Sequence, residues 1–339
     1  MKIKLNKIAS VTKNVGLKSE VEITKDIRST NGLCLAVKVL ENKKIYNELE
    51  LCSGKLSILK KGEVLAVALG NRRALKGFVG DTPKKLAVSD VINILNMGGV
   101  AGLCTSENVK QVGHALKVKV LGAITDGKKA LNVKDFKKFD PQDKLESDVP
   151  LVVVSGTCMG VGKTNVVCQL AKHASSDGLN VFVAKLSGVA AQKDTRKMKQ
   201  FGARKAVSFL DAGLTSTVHS SELLKVAKGA INHLSEGKPD FIIIEFGDGV
   251  FGEYGVMDIL KDKEISKHIA FHVGCAHDPM GAVKLGEVCK SIRVPLSLMS
   301  GPVTDNEVGS SFVKKTLKIP AVNALKNGGS LYEEFKRRR

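Results

Sequence analysis

A doubly wound, mostly parallel α/β sheet carrying a phosphate-binding loop, preceded by a smaller β-rich domain, is the fold class this sequence predicts. Three observations predict it. From about residue 149 onward, wholly apolar runs of strand length alternate with stretches of helical length. The first of those runs ends in a glycine-rich turn closed by Lys163-Thr164. Before residue 140 the apolar runs are short and punctuated by Gly and Asn instead.

Taken in order, the chain of 339 residues is long enough for two domains. In residues 1–140 the runs 32–40, 64–70 and 91–100 read as strands of a compact β domain, barrel-like in pattern, and 109–120 adds a helix and a strand. No role is readable for this domain. Residues 141–149 lie within the polar, highly charged stretch Lys134 to Pro150, which contains Pro141, and read as a linker. Residues 150–339 form the nucleotide domain, with buried strands at 151–154, 181–184, 206–210, 241–244, 269–273 and 296–299. Helical segments fall between them, and ligands then collect at the carboxyl ends of the strands.

Composition narrows the function classes. The net charge is +19, but the lysines are spread along the whole chain, aromatic residues make up only 4% and Trp is absent, so nucleic acid is not expected as a partner. The one dense basic cluster, Lys336-Arg337-Arg338-Arg339, reads as a solvated end. Seven cysteines without a C-x-x-C pair disfavour a disulfide framework or a thiolate zinc site. No apolar run approaches bilayer length, and Met1-Lys2-Ile3-Lys4-Leu5 lacks the core of a signal peptide, so a cytoplasmic protein without membrane attachment is expected.

The segment Val152-Val153-Val154-Ser155-Gly156-Thr157-Cys158-Met159-Gly160-Val161-Gly162-Lys163-Thr164 has the order that nucleotide phosphates require: strand, open loop, lysine, hydroxyl, helix. Backbone N–H groups can wrap an anion only where side chains do not intrude, which Gly160 and Gly162 ensure. The helix that follows presents its unpaired N–H groups and positive dipole end. Its residues Val166, Val167, Leu170, Ala171 and Ala174 share one face. Gly156 through Asn165 are therefore the expected nucleotide-binding residues, with Cys158, Met159 and Val161 contributing backbone. Lys163 is expected at the β and γ oxygens and Thr164 at Mg²⁺.

A carboxylate is needed at a neighbouring strand end, and Phe241-Ile242-Ile243-Ile244-Glu245 supplies Glu245. Asp194 offers either a second metal ligand or a helix N-cap. The polar clusters Asp211 through Ser220, Gly274 through Pro279 and Gly301 through Asn306 follow strands and are expected along the crevice.

The strict phosphate-loop pattern wants glycine where Thr157 stands. In this form the loop resembles the Gly-Thr-x-x-x-Val-Gly-Lys-Thr loop of dethiobiotin synthetase, and still more that of the cobyrinic acid a,c-diamide synthases. The resemblance covers about residues 150–325. It implies Glu245 as a magnesium ligand and Lys185, at the end of the second strand, as a catalytic lysine facing the γ-phosphate, although Leu186 replaces the usual proline. It also implies that the base is read near Gly274 through Pro279. Gly160 stands where dethiobiotin synthetase has glutamate, and no glutaminase domain is expected after the nucleotide domain. Residues 188–254 also look like the P-loop domain of a family that includes D-glutamate N-acetyltransferases.

Together these readings give an ATP- and Mg²⁺-dependent synthetase that activates a carboxylate or carbamate of a small anionic metabolite, with Lys163, Lys185 and Glu245 as the catalytic set. Two alternatives are a nucleotide-dependent switch, metallochaperone or cofactor-assembly NTPase, for which a homodimer is the assembly considered, and an acyltransferase that holds coenzyme A phosphates in the loop.

Overall fold

The computed structural model describes residues 1–338; Arg339, the last residue of the basic cluster, lies outside them. Two compact units divide the chain. One comprises Met1–Lys138 with Val189–Lys193 and Phe209–Val218, and the other Phe139–Gly188, Asp194–Ser208 and the described residues from His219 onward. Two segments that the sequence order places in the nucleotide domain thus cluster with the first unit.

The first unit is built on a closed ring of five strands: β1 (Cys34–Val39), β2 (Val64–Leu69), β3 (Val91–Ile94), β4 (Val100–Glu107) and β5 (Leu116–Thr125). The pairings run β5-β1-β2-β4, and β3 pairs with both β4 and β5 to close the circle. Closure removes the exposed edges that an open sheet would leave. Leu35, Val37, Leu65, Val67, Ile92, Val100, Val118 and Val120 are fully buried, and the exposed Lys38 interrupts β1.

Buried polar side chains tie the two later segments into this unit. The Asn96 amide donates to the carbonyl of Ala190 at 2.7 Å, and Glu50 accepts from the Ser10 hydroxyl and, at 2.7 Å, from the Gln192 amide. Thr215 donates to the Leu69 carbonyl at 2.9 Å, while the buried Asp211 carboxylate pairs with Lys13 at 2.9 Å. The expectation that Asp211 and Thr215 are crevice groups is therefore corrected: these side chains are spent on packing within the first unit.

In the second unit β6 (Leu151–Gly156), β7 (Val181–Ser187), β8 (Lys205–Ser208), β9 (Phe241–Phe246), β10 (Ile269–Cys275) and β11 (Leu298–Ser300) form one parallel sheet. Its order is β8-β7-β9-β6-β10-β11, which places the loop-bearing β6 between β9 and β10. Every residue of β6 and β9 is buried, as continuous apolar runs in a two-sided parallel sheet require. Helix α1 (Lys163–Ser176) buries the five predicted apolar residues completely. A last helix, α2 (Gly328–Lys336), adds Leu331, Tyr332 and Phe335 to the same core, with the Phe335 ring 4.8 Å from that of Phe241.

The expected linker 141–149 is tied down within this unit. The Leu145 amide donates to Glu264 at 2.7 Å, and the Glu146 amide to the Asn232 side chain at 2.9 Å. Its polar composition reflects backbone groups satisfied by neighbouring side chains rather than freedom. Among the described residues no helix is long and apolar enough to cross a membrane.

Candidate functional site

Residues 156–164 leave the carboxyl end of β6 and turn into α1. Gly160 and Gly162 both have positive φ, +79° and +91°, and Gly162 is the left-handed N-cap from which α1 starts. A side chain at either position would be strained, so the turn that aims successive N–H groups inward depends on glycine there. Lys163 is only 6% exposed, and its ammonium donates to the Cys158 carbonyl at 2.8 Å across the loop. Burial pulls its pKa below the usual lysine range, against the opposing pull of the Glu245 and Asp248 carboxylates.

The Thr164 hydroxyl donates to Glu245 Oε1 at 2.7 Å. Glu245 sits at the end of β9, in register with Val154 of β6 and Lys185 of β7, and is 3% exposed. Its second oxygen, Oε2, is buried with no hydrogen-bond partner. Burial pushes this carboxyl up, opposed chiefly by the Lys185 ammonium. A buried carboxylate oxygen left unpaired costs free energy that a cation or its water would relieve. With a threonine hydroxyl on the other oxygen, the donor set is all oxygen and fits Mg²⁺.

Lys185 forms an ion pair with Asp194. Asp194 lies in the first turn of α3 (Lys193–Gln200) rather than capping it, and its charge acts on Glu245 as well. Thus Lys163, Thr164, Lys185, Asp194 and Glu245, separated by up to 82 residues in sequence, are joined by one run of hydrogen bonds and charge interactions.

Sequence reasoning missed three contributors. Asp248, just past Glu245, has a left-handed φ of +64° and a carboxyl pushed up by burial, with Lys163 among its neighbours. Its flanking Gly249 lies so close to the loop that an added Cβ would stand 2.1 Å from the Thr157 carbonyl oxygen. The ammonium of Lys197 on α3 donates to Asn165 Oδ1 at 2.9 Å, pinning the first turn of α1. Asn323, 161 residues after Gly162, lines a cavity with it. The acid between two glycines was a readable signal for Asp248. Lys197 and Asn323 carried none.

Asp278, an expected crevice group, and several buried groups of the sheet and its helices serve the scaffold. Asp278 caps α4 (Pro279–Ser291) through the Gly281 amide at 2.9 Å. His272 is fully buried, bound to the Ser155 hydroxyl at 2.8 Å and the Val294 carbonyl at 3.1 Å, and desolvation lowers its pKa to about 4. Burial likewise pushes the Cys168, Cys275 and Cys289 thiols up to about 12. No cluster of three or more His, Cys, Asp or Glu side chains with metal-holding geometry occurs among the described residues.

No protein-family model matches this chain, and no curated protein matches it in sequence. Solved structures with a partial likeness include chloroplast FtsY from Physcomitrella patens, at 15% identity and a TM-score of 0.37. That alignment covers 55% of this chain and 66% of the other, just under two thirds of its length. The cell division protein FtsY from Thermotoga maritima aligns at 19% identity and TM-score 0.38, over 60% of this chain and 74% of its own. The 54 kDa signal recognition particle protein from Aeropyrum pernix, solved with GDP, aligns at 16% identity and TM-score 0.38, over 58% and 51%. A likeness of this extent assigns neither an activity nor a ligand. The second unit is a nucleotide-loop α/β fold on its own strand order and loop geometry.

Proposed function

We propose that this protein binds a nucleoside triphosphate with Mg²⁺ and hydrolyses it, using the change of bound state as a conformational switch. The observation that carries the nucleotide reading is Glu245: a fully buried carboxylate with one oxygen on the Thr164 hydroxyl and the other unpartnered, beside the Lys163 loop. Thr164 and Glu245 would hold the metal, with Asp194 beside them. When bound, Mg²⁺ supplies charge neutralisation at the phosphate oxygens. Lys163 leaves the Cys158 carbonyl for the phosphate chain, and Lys185 stabilises the negative charge that gathers on the transferred group.

The switch is favoured by Asp194. It pairs with Lys185 at the metal end of the sheet, and the residue before it, Lys193, closes a segment that packs in the first unit. Loss of the terminal phosphate alters the charge that Lys185 and Asp194 share, and the peptide chain carries that change into Val189–Lys193.

A second reading, a synthetase that phosphorylates a carboxylate or carbamate of a small anionic metabolite with ATP, rests on the same Lys185. Phosphate release by purified protein with Mg²⁺ separates the two. Turnover with nucleotide alone, lost in Lys163→Ala, supports the switch, whereas turnover that starts only on adding a metabolite moves the reading to the synthetase. Calorimetry that shows no binding of ATP, GTP or coenzyme A removes both.

A further inference from the structure

Beside the phosphate loop the second unit holds a cavity of about 150 Å³, lined by Gly160 and Gly162 together with Pro302, Asp305, Asn323 and Leu325. An engineered protein cavity of that order holds one aromatic ring. Its place next to the loop is fixed by Gly301, whose φ is +93° and where a Cβ would meet the Val161 carbonyl oxygen at 2.6 Å. Leu325 is 68% exposed, a large apolar side chain left open at this rim, and with Pro302 it offers the flat apolar contact that a purine face requires.

The polar side of the cavity has a defined sense. Asn323 is 7% exposed, and its Oδ1 accepts the amides of Leu325 and Lys326, both at 3.0 Å. Two backbone donors on one atom fix which end of the side chain is oxygen. Its Nδ2 therefore faces Asp305 and donates to Asp305 Oδ1 at 2.8 Å. The Lys326 ammonium bonds the Asp305 main-chain carbonyl, which further holds the loop. The result is an aspartate anchored through one oxygen, with acceptor capacity left for a ligand.

We infer that this cavity is the nucleobase slot and that Asp305, oriented by Asn323, selects guanine over adenine. The inference rests on the proposed nucleotide reading of the adjoining loop and names the base it takes. Guanine presents the N1–H and the 2-amino group side by side, two donors that a carboxylate accepts together. Adenine presents its 6-amino group beside the N1 lone pair, which the carboxylate repels. Asp305 is exposed at the rim, so the discrimination comes from the two donors it accepts together and the lone pair it repels rather than from burial.

The test is calorimetry on the full chain with Mg²⁺ and GDP, ADP, xanthosine diphosphate or inorganic tripolyphosphate, for the parent protein and Asp305→Asn. Thermal melting of both proteins confirms that they are folded. The expected result is GDP bound roughly tenfold to a hundredfold more tightly than ADP. Asp305→Asn should lose about that factor for GDP and gain affinity for xanthosine diphosphate, whose 2-carbonyl accepts from the new carboxamide. Equal affinities for GDP and ADP, or a preference unmoved by Asp305→Asn, overturn the inference and leave the nucleotide reading standing. No heat with any of the four, tripolyphosphate included, overturns both.

Discussion

The barrel of the first unit and the parallel sheet of the second spend their polar residues differently. In the first unit, the buried polar side chains Asn96, Glu50, Thr215 and Asp211 are engaged in closing packing around segments from elsewhere in the chain, while Asn14 Oδ1 and Arg72 Nε are buried without a partner. In the parallel sheet, the buried polar groups at the strand ends are left partly unsatisfied, as Glu245 Oε2 shows, or held by a loop carbonyl, as Lys163 is. A satisfied network rigidifies, whereas an unpartnered carboxylate oxygen beside a phosphate loop, as at Glu245, is a place where a cation completes the structure. The difference teaches where to look for chemistry: lesions in the second unit's strand ends should cost function, and lesions in the barrel's polar contacts should cost stability.

The largest expected effect belongs to Lys163→Ala. It should weaken triphosphate binding by roughly a hundredfold and cut turnover about a thousandfold, near 4 kcal/mol, with little change in melting temperature. Lys185→Ala sharpens the same side of the comparison. Affinity should stay within a few-fold of the parent while single-turnover hydrolysis drops about a hundredfold. Equal loss of affinity in both variants would show that Lys185 is part of the binding site rather than of turnover.

Of similar size is the acid response of His272, a strand group of the second unit that serves stability alone. Its pKa is about 4 when folded against an ordinary 6.5, so the unfolded chain takes up the proton first. Stability is therefore full above pH 6.5 and falls as the pH drops from there through about 4, by about 3 kcal/mol in all. Denaturant melts at pH 7.5 and 5 should show the loss, and His272→Asn should flatten it; a slope unchanged in that variant assigns the acid loss to other groups. The smallest expected effect is Asn96→Ala in the barrel, about 2 kcal/mol of stability with nucleotide affinity unaltered. A shift in affinity there would break the proposed division between the units.

Legibility from sequence followed the same division. The strands β6, β7 and β9 could be read because each is buried on both faces and so appears as an apolar run, with its first polar residue at the functional end, whereas β8 opens on the exposed Lys205 and β10 carries His272 in mid-strand. Glu245 and the loop were visible for that reason. The barrel strands were visible only in outline. That β3 pairs with both β4 and β5 is a fact of long-range closure that no local pattern records. Asp305 stood in a segment already placed at a strand end, but its partner Asn323 is an ordinary loop residue until folding brings the amide to 2.8 Å. Lys197 looked like any solvent-facing lysine of a charged helix for the same reason.

The allotment of Val189–Lys193 and Phe209–Val218 to the first unit has a practical reach. Truncation after residue 138 would strip the Asn96 amide, the Glu50 carboxylate and the Leu69 carbonyl of partners that they hold inside the folded unit. The N-terminal half should therefore express poorly by itself, whereas the same fragment supplied with those two short stretches on a graft should regain its fold. No single cut in the coding sequence separates the two units, because 189–193 and 209–218 are interleaved with the second.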